Sequence, residues 1–206
     1  MEKYFFALLP EKRLTDLIYN QKNFIRELSG EQIYLSEPPH ITLYVLTVKN
    51  KRIFSKLEEL TSGMNIPPIS LKDFNIFYND LQTRGNTITY SLDEESAGSM
   101  RKIQSTLINT FSPFNTKELF SKPEIYDKMT PLEKENTDNY GFPFVGKNWI
   151  PHLTLASINK QDFSRVWKEI RKKQIKGKFL IESLGLYNTG ANPLKLIRGF
   201  ILKQPE

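Results

Sequence analysis

A chain of 206 residues with 39% apolar and 12% aromatic residues is long enough for one sizeable globular unit or two small lobes, and its charged fraction of 25% argues against wholesale disorder. Its 29 basic and 23 acidic residues give a net charge of +6, which favours polyanionic ligands such as RNA or nucleotides without identifying one. The absence of cysteine excludes disulfide bonds, thiolate metal sites and cysteine nucleophiles, and no apolar run approaches the ~20 residues that span a bilayer, so we expect a cytoplasmic protein with no membrane association.

The first 111 residues alternate between strand-like runs and helical spacing. A short apolar run ended by Pro10 is typical of a buried strand. Leu14, Leu17 and Ile18 then begin an apolar helix face, and Gly30 ends that helix. The expected elements are, in order, a strand at 4–10, a helix at 14–28, β-forming residues at 33–48, a helix at 53–64, strands at 69–78 and 87–92, and a helix at 97–111.

Residues 112–148 break this pattern. They contain several prolines and many polar residues with little periodicity, so we expect a long flexible loop or an insertion within a single unit that spans 1–206. Beyond it, the patterns predict a strand at 149–158, a helix at 163–170 and a strand pair at 179–187 and 194–202. Each half of the chain has a strand, a helix and a strand pair, which indicates an internal duplication. The mixture predicts an α+β fold with mainly antiparallel sheets.

Both histidines stand in the same short motif. His40 is followed by Ile-Thr-Leu and His152 by Leu-Thr-Leu, and a proline precedes each. The odds that both acquire Thr-Leu at this offset by chance are on the order of 10⁻⁴. Because residues i and i+2 of a strand share a face, His40 is expected beside Thr42, and His152 beside Thr154.

Two imidazoles and two hydroxyls suit a reaction at a phosphodiester. With an ordinary pKa of about 6.5, one imidazole can accept a proton from the attacking hydroxyl or water while the other donates one to the departing oxygen. The threonine hydroxyls can donate to non-bridging phosphoryl oxygens. A two-histidine zinc site and a purely structural strand motif are the alternatives, but no carboxylate accompanies either histidine in its motif, so we expect no metal and no cofactor. The sequence does not say which histidine is the acid.

These segments resemble the 2H phosphoesterase superfamily, especially its bacterial and phage 2′-5′ RNA ligase-like (cyclic phosphodiesterase) branch. Similarity covers KYFFALLP at 3–10, EPPHITLYVL at 37–46, WIPHLTLASI at 149–158 and the closing strand pair. The resemblance implies a bilobal fold with two pseudo-twofold-related sheets, helices outside and a central cleft to which each lobe contributes one motif. The residues just after both motifs depart from the branch pattern, so no particular substrate carries over.

The resemblance also implies an activity. The expected enzyme is a metal-independent phosphodiesterase that acts on RNA ends or oligonucleotides, at a 2′,3′-cyclic phosphate or a 2′-5′ linkage, with His40, Thr42, His152 and Thr154 as its catalytic residues. Two other functions stay open: a phage or bacterial nuclease that degrades cyclic oligonucleotide signals, and a catalytically silent module that binds RNA or nucleotides. No obligate protein partner is predicted.

Three aromatic residues are candidate contacts to the substrate. Tyr44 continues the strand face of the first motif, Phe6 lies in the first strand, and Tyr187 lies in the closing strand pair. Each can present a ring to a nucleobase, and each can equally pack in the core.

Overall fold

The computed structural model describes residues 2–49, 53–80, 82–189 and 194–202. The strands are β1 Glu2–Pro10, β2 Ile41–Val48, β3 Ile69–Phe77, β4 Asn86–Leu92, β5 His152–Ile158, β6 Gly177–Phe179, β7 Ile181–Asn188 and β8 Lys195–Ile201. The helices are α1 Lys12–Ser29, α2 Ile53–Ser62, α3 Glu94–Phe111, α4 Pro123–Tyr126, α5 Pro131–Tyr140 and α6 Phe163–Ile170. Among the residues described, no helix is both long and apolar enough to cross a membrane.

The strands form two four-stranded antiparallel sheets, with the orders β2-β1-β7-β8 and β5-β4-β3-β6, which confirms the predicted α+β class. The order of elements repeats as β1-α1-β2-α2-β3 and β4-α3-β5-α6-β7. The third strand of each repeat pairs in the sheet of the other, because β7 pairs with β1 and β3 pairs with β4. The boundary between the repeats therefore falls between β3 and β4, which the sequence assigns together to the first half of the chain.

Strand β1 is apolar on both of its faces. Tyr4, Phe6 and Leu8 pack into the main core. On the opposite face, Phe5 and Ala7 form a smaller cluster together with a residue of β7. We call this smaller cluster the site-face cluster, and its third fully buried member is Tyr187.

Helix α1 buries a lysine, whereas one leucine that the sequence predicts on its inward face is exposed. Leu17 is 38% exposed, so its predicted inward position is wrong, whereas Lys22 is only 1% exposed. The Lys22 ammonium donates to the carbonyl oxygens of Tyr34 and Glu37, each at 2.7 Å. Burial lowers the pKa of Lys22 to about 8. The ammonium thus fixes the loop that leads into His40.

Residues 112–148 contain regular structure. Two short 3-10 turns flank α4 and α5 within this segment. Helix α5 begins with a reciprocal capping box between Thr130 and Glu133 and ends at Gly141, whose φ of 71° is left-handed. Phe142, the next residue, is 4% exposed and packs into the main core. The C-terminal end of the segment is therefore anchored beside the first motif strand and the entry to the second.

Candidate active site

Each motif lies at the start of a strand at the edge of its sheet. His40 immediately precedes β2, and His152 is the first residue of β5. Thr42 and Thr154 follow two residues later, and both are half-buried like the histidines. The two motif strands contact each other and the charge of His152 acts on His40, so the structure brings the two motifs together between the sheets.

Each motif also contains a β-bulge at its leucine. In β2, Leu43 is the extra residue between Thr42, which pairs with Ala7, and Tyr44. In β5, Leu155 occupies the same place in the motif. A bulge inserts one unpaired residue and reverses the alternation of faces beyond it. The two motifs therefore share a backbone irregularity as well as a sequence.

The structure places Tyr44 and Phe6 in the core and not beside the histidines, which favours the packing alternative for both. Beyond the bulge Tyr44 turns into the core, where it is fully buried and donates its hydroxyl to the Tyr140 carbonyl oxygen at 2.6 Å. Burial raises the pKa of Tyr44 to about 12. Phe6 is also fully buried, with its ring centroid 4.7 Å from that of Phe111. Val45 instead packs against the site-face cluster.

Two aromatic rings lie against the first histidine. The ring centroid of His40 is 5.3 Å from that of Phe5 and 6.2 Å from that of Tyr187. The Phe5 and Tyr187 rings stack on each other, with their centroids 5.0 Å apart. Tyr187 is at the predicted site, but it is 4% exposed and contacts the imidazole more than solvent. Sequence reasoning missed Phe5 because β1 is apolar throughout, so alternation does not distinguish its faces.

The second histidine has an aromatic neighbour in the matching position. Phe77 contacts His152 edge-on, with ring centroids 5.1 Å apart. In the registers of the two sheets, Phe77 on β3 corresponds to Tyr187 on β7. The exchange of third strands thus places an aromatic ring from one repeat against the histidine of the other. The sequence does not indicate Phe77, because an irregularity in β3 before Phe74 interrupts its alternation.

The same kind of hydrogen bond fixes both imidazole rings. The Nδ1 atoms of His40 and His152 lie 2.7 Å from the carbonyl oxygens of Pro38 and Ile150, two residues earlier in each case. Because a carbonyl oxygen only accepts, each Nδ1 carries a proton, and Nε2 is the atom whose proton can come and go.

The charged neighbours of the two imidazoles differ. Burial and, to a smaller extent, the positive charges of Lys22 and His152 together lower the pKa of His40 to about 4, despite its bond to Pro38. The pKa of His152 is also lowered by burial, but the bond to Ile150 and the negative charge of Asp80 oppose that shift. The environment therefore disfavours a proton on Nε2 of His40 more than on Nε2 of His152.

A buried amide joins the first motif to the segment that enters the second. Gln104 of α3 is fully buried and donates Nε2 to the carbonyl oxygens of Leu43 and Phe144, at 3.0 and 2.9 Å. Its Oε1 accepts from the Gly146 N–H at 3.2 Å. The bulged residue of β2 and the chain that leads to β5 are thereby fixed to the same side chain.

A second buried amide performs a similar task. Asn115 donates Nδ2 to the Tyr44 hydroxyl at 3.0 Å and to the Tyr140 carbonyl oxygen at 3.2 Å, and its Oδ1 accepts from the Thr47 N–H at 3.1 Å. A side chain at Gly141 would collide with this amide. Motif strand β2 is therefore packed against the end of α5 through a satisfied polar network.

In the part of the chain that the structure describes, no three side chains of His, Cys, Asp or Glu are grouped so that they could hold a metal ion. Independence from metal stays a prediction for the reaction.

The chain matches a known family over most of its length. The family described as "2'-5' RNA ligase superfamily" matches residues 16–193, which include both motifs. Among solved structures, the chain is similar to TT0787 of Thermus thermophilus, with 14% identity over 99% of this chain and 100% of that one and a TM-score of 0.58. It is also similar to Escherichia coli LigT complexed with 3′-AMP, with 14% identity over 98% of both chains and a TM-score of 0.52.

LigT complexed with NADP+ gives a TM-score of 0.51 at the same identity and coverage. Likeness at this identity establishes the fold alone. None of the curated proteins matches the chain at a significant level. Because the family match covers most of the chain and both histidine motifs, the chain belongs to the 2′-5′ RNA ligase superfamily of 2H phosphoesterases.

Proposed function

We propose that the protein is a metal-independent phosphodiesterase that cleaves a 2′,3′-cyclic phosphate or a 2′-5′ linkage in RNA ends or oligonucleotides. The observation that carries this function is the matched anchoring of both Nδ1 atoms by backbone carbonyls, 2.7 Å away in each case. It leaves two Nε2 atoms in fixed orientations as proton carriers. Displacement at phosphorus needs one proton removed from the nucleophile and one supplied to the leaving oxygen.

The charged surroundings support different roles for the two histidines. The positive charge of Lys22 favours a neutral His40, which suits the general base, and the negative charge of Asp80 favours a protonated His152, which suits the general acid. An anionic phosphodiester in the site adds a further negative charge that raises the pKa of the acid. In ring opening, Nε2 of His40 takes a proton from water, the water oxygen bonds to phosphorus, and His152 protonates the ribose oxygen that leaves.

The two threonines suit the phosphoryl oxygens. Within the described part of the chain, the hydroxyls of Thr42 and Thr154 have no hydrogen-bond partner, although both side chains are half-buried. Each lies two residues after a histidine, on the same strand face. Hydroxyl donors in this position stabilise the charge that develops on non-bridging oxygens in the transition state.

The test is product analysis by mass spectrometry with nucleoside 2′,3′-cyclic phosphates, 2′-5′ and 3′-5′ dinucleotides and cyclic dinucleotides. We expect cleavage of the nucleoside 2′,3′-cyclic phosphates and the 2′-5′ dinucleotides in the presence of EDTA. His40→Ala and His152→Ala should each lower kcat/KM by about 10²-fold to 10⁴-fold. Undiminished activity of the double variant would refute the assignment. Cleavage of cyclic dinucleotides alone would favour the signal-degrading nuclease, and tight binding without cleavage the silent module.

A further inference from the structure

A cavity of about 810 Å³ lies next to the candidate active site. Its walls come from the loop after α1, the turn between β3 and β4, the end of β5 and the chain on either side of the β7–β8 connection. A volume of this size is typical of sites that hold a small organic ligand.

One packing contact links this cavity to the first histidine, and two of its lining residues lie close to the motifs in sequence. Glu37, three residues before His40, lines it, and so does Ser157, three residues after Thr154. Leu194 lines it as well and packs against the site-face cluster, whose rings contact His40. The cavity therefore lies next to the site-face cluster, which packs against His40.

One wall of the cavity is held in a fixed conformation. Tyr34 has a φ of 72°, which is unusual for a residue with a side chain. Its carbonyl oxygen accepts from the Lys22 ammonium at 2.7 Å, and the carbonyl oxygen of the preceding Ile33 accepts from the Ser157 N–H at 2.9 Å. Ile33 is nonetheless 49% exposed. The Tyr34 ring and the exposed Ile33 side chain, both carried by this fixed backbone, offer an apolar surface for a nucleobase.

Two carboxylates and two cations line the cavity, and both carboxylates already have a cation beside them. The Glu31 carboxylate is paired with Arg26 at 2.7 Å, and the Glu37 carboxylate is compensated by the nearby Lys22 ammonium. Arg84 and Lys160 line the same cavity and are exposed.

Neither Arg84 nor Lys160 makes an ion pair with any residue in the described ranges. Two unpaired cations beside a polar and apolar wall suit a phosphate that is attached to a base and a sugar.

We propose that this cavity binds the nucleotide that precedes the one carrying the scissile phosphate, so that the enzyme acts on oligonucleotides in preference to mononucleotides. The proposal rests on the phosphodiesterase function given above and adds a preference among its substrates. The base of this second nucleotide lies against Tyr34, and its phosphate is neutralised by Arg84 and Lys160. The catalytic phosphate stays between the two histidines.

The experiment compares a nucleoside 2′,3′-cyclic phosphate with di-, tri- and tetranucleotides that end in the same cyclic phosphate. The test variant is Arg84→Asn/Lys160→Gln, in which Asn is chosen because it tolerates the left-handed backbone of Arg84, where φ is 62°. The control variant is Lys102→Gln/Lys128→Gln, which removes the same charge from exposed lysines that do not line the cavity.

We expect the wild type to prefer the dinucleotide and the test variant to lose about tenfold in kcat/KM on it. Activity on the mononucleotide should change by less than about twofold, and kcat/KM on the dinucleotide should become less sensitive to salt in the test variant. Equal losses on the mononucleotide and the dinucleotide, or the same losses in the control variant, would overturn the proposal.

A binding measurement separates failure of this proposal from failure of the proposed function. The probe is a 5′-fluorescent dinucleotide with a 3′-terminal phosphate, titrated into the His40→Ala protein and monitored by anisotropy. The dinucleotide should bind more weakly when the His40→Ala protein also carries the test substitutions, but not when it carries the control substitutions. That result supports nucleotide binding in the cavity even if the wild type shows no turnover. Equal affinity in both backgrounds overturns the cavity assignment even if the histidine variants are inactive.

Discussion

Gln104 donates its side-chain amide to the carbonyl oxygen of Leu43, 3.0 Å away, and so a residue of α3 fixes the bulge of the first motif. The same side chain bonds to Phe144 and Gly146, which lie on the chain that leads to His152. One fully buried amide therefore couples the positions of the two motifs, although neither motif contains it. It is a positioning residue, since it touches backbone and not the reacting atoms.

Replacement of this amide by an apolar side chain should be costly. In Gln104→Leu, two carbonyl oxygens and one N–H lose their partner in a buried site, and each such loss costs about 1 to 3 kcal/mol. We expect the free energy of unfolding in urea to fall by about 3 kcal/mol, with a loss in kcat that KM does not share. Gln161→Leu, at an exposed position, is the control and should change stability by less than about 0.5 kcal/mol. A similar small change in Gln104→Leu would contradict the role.

Burial of His40 makes stability depend on pH. Its pKa of about 4 in the folded protein lies below the value of about 6.5 in the unfolded chain, so the unfolded state binds more protons as the pH falls. The contribution of neutral His40 to the free energy of unfolding is fully present above about pH 6.5 and is lost as the pH falls towards 4. The loss is ~3 kcal/mol at most.

Urea unfolding of the wild type and of His40→Gln between pH 4 and 7 measures this contribution, because the other groups titrate in both proteins. We expect the free energy of unfolding to fall less steeply with acidification in the variant. Parallel curves for the two proteins would mean that His40 is not held neutral by the fold.

Asp80 should influence the proton on the acid. Its carboxylate accepts from the Thr87 hydroxyl at 2.6 Å, and its negative charge raises the pKa of His152 against the effect of burial. Asp80→Asn removes the charge and keeps an acceptor for Thr87. The pH above which kcat/KM falls, because the proposed acid His152 loses its proton, should therefore move to a lower value. Asp16→Asn, at an exposed position on α1, should leave the profile unchanged. A shift to higher pH would assign the acid role elsewhere.

The sequence predicts the position of the two histidine motifs better than it predicts what surrounds them. The two histidine motifs are short, local and strand-like, so their spacing alone puts His40 beside Thr42 and His152 beside Thr154. The alternation of β2 misplaces Tyr44 because a bulge is a property of strand pairing, and nothing in β2 alone indicates it.

The remaining differences also come from long-range pairing. The exchange of β3 and β7 between the sheets places Phe77 and Tyr187 beside the histidines, and it depends on residues far apart in the chain. The burial of Lys22 also cannot be predicted from the sequence, because lysine side chains are normally exposed to solvent. Only the folded structure shows the two carbonyl oxygens that accept from its ammonium.

Tyr44→Phe separates a structural from a substrate-binding role for that residue. The variant loses the hydroxyl that donates to the Tyr140 carbonyl oxygen at 2.6 Å and leaves the Asn115 amide with one acceptor fewer. We expect the free energy of unfolding to fall by about 1 to 2 kcal/mol and KM to change by less than about twofold. A large rise in KM at unchanged stability would restore Tyr44 as a contact to the substrate.

The threonine hydroxyls should matter for the reaction and not for the fold. Thr42→Val and Thr154→Val keep the shape of the side chain and remove a donor that has no partner in the described part of the chain, so the unfolding free energy should change by less than about 1 kcal/mol. Loss of one donor to a developing oxyanion should lower kcat by about 10²-fold. Thr42→Ser and Thr154→Ser retain the hydroxyl and should recover most of that loss. Valine variants that keep the kcat of the wild type would show that the hydroxyls do not bind the phosphoryl oxygens in the transition state.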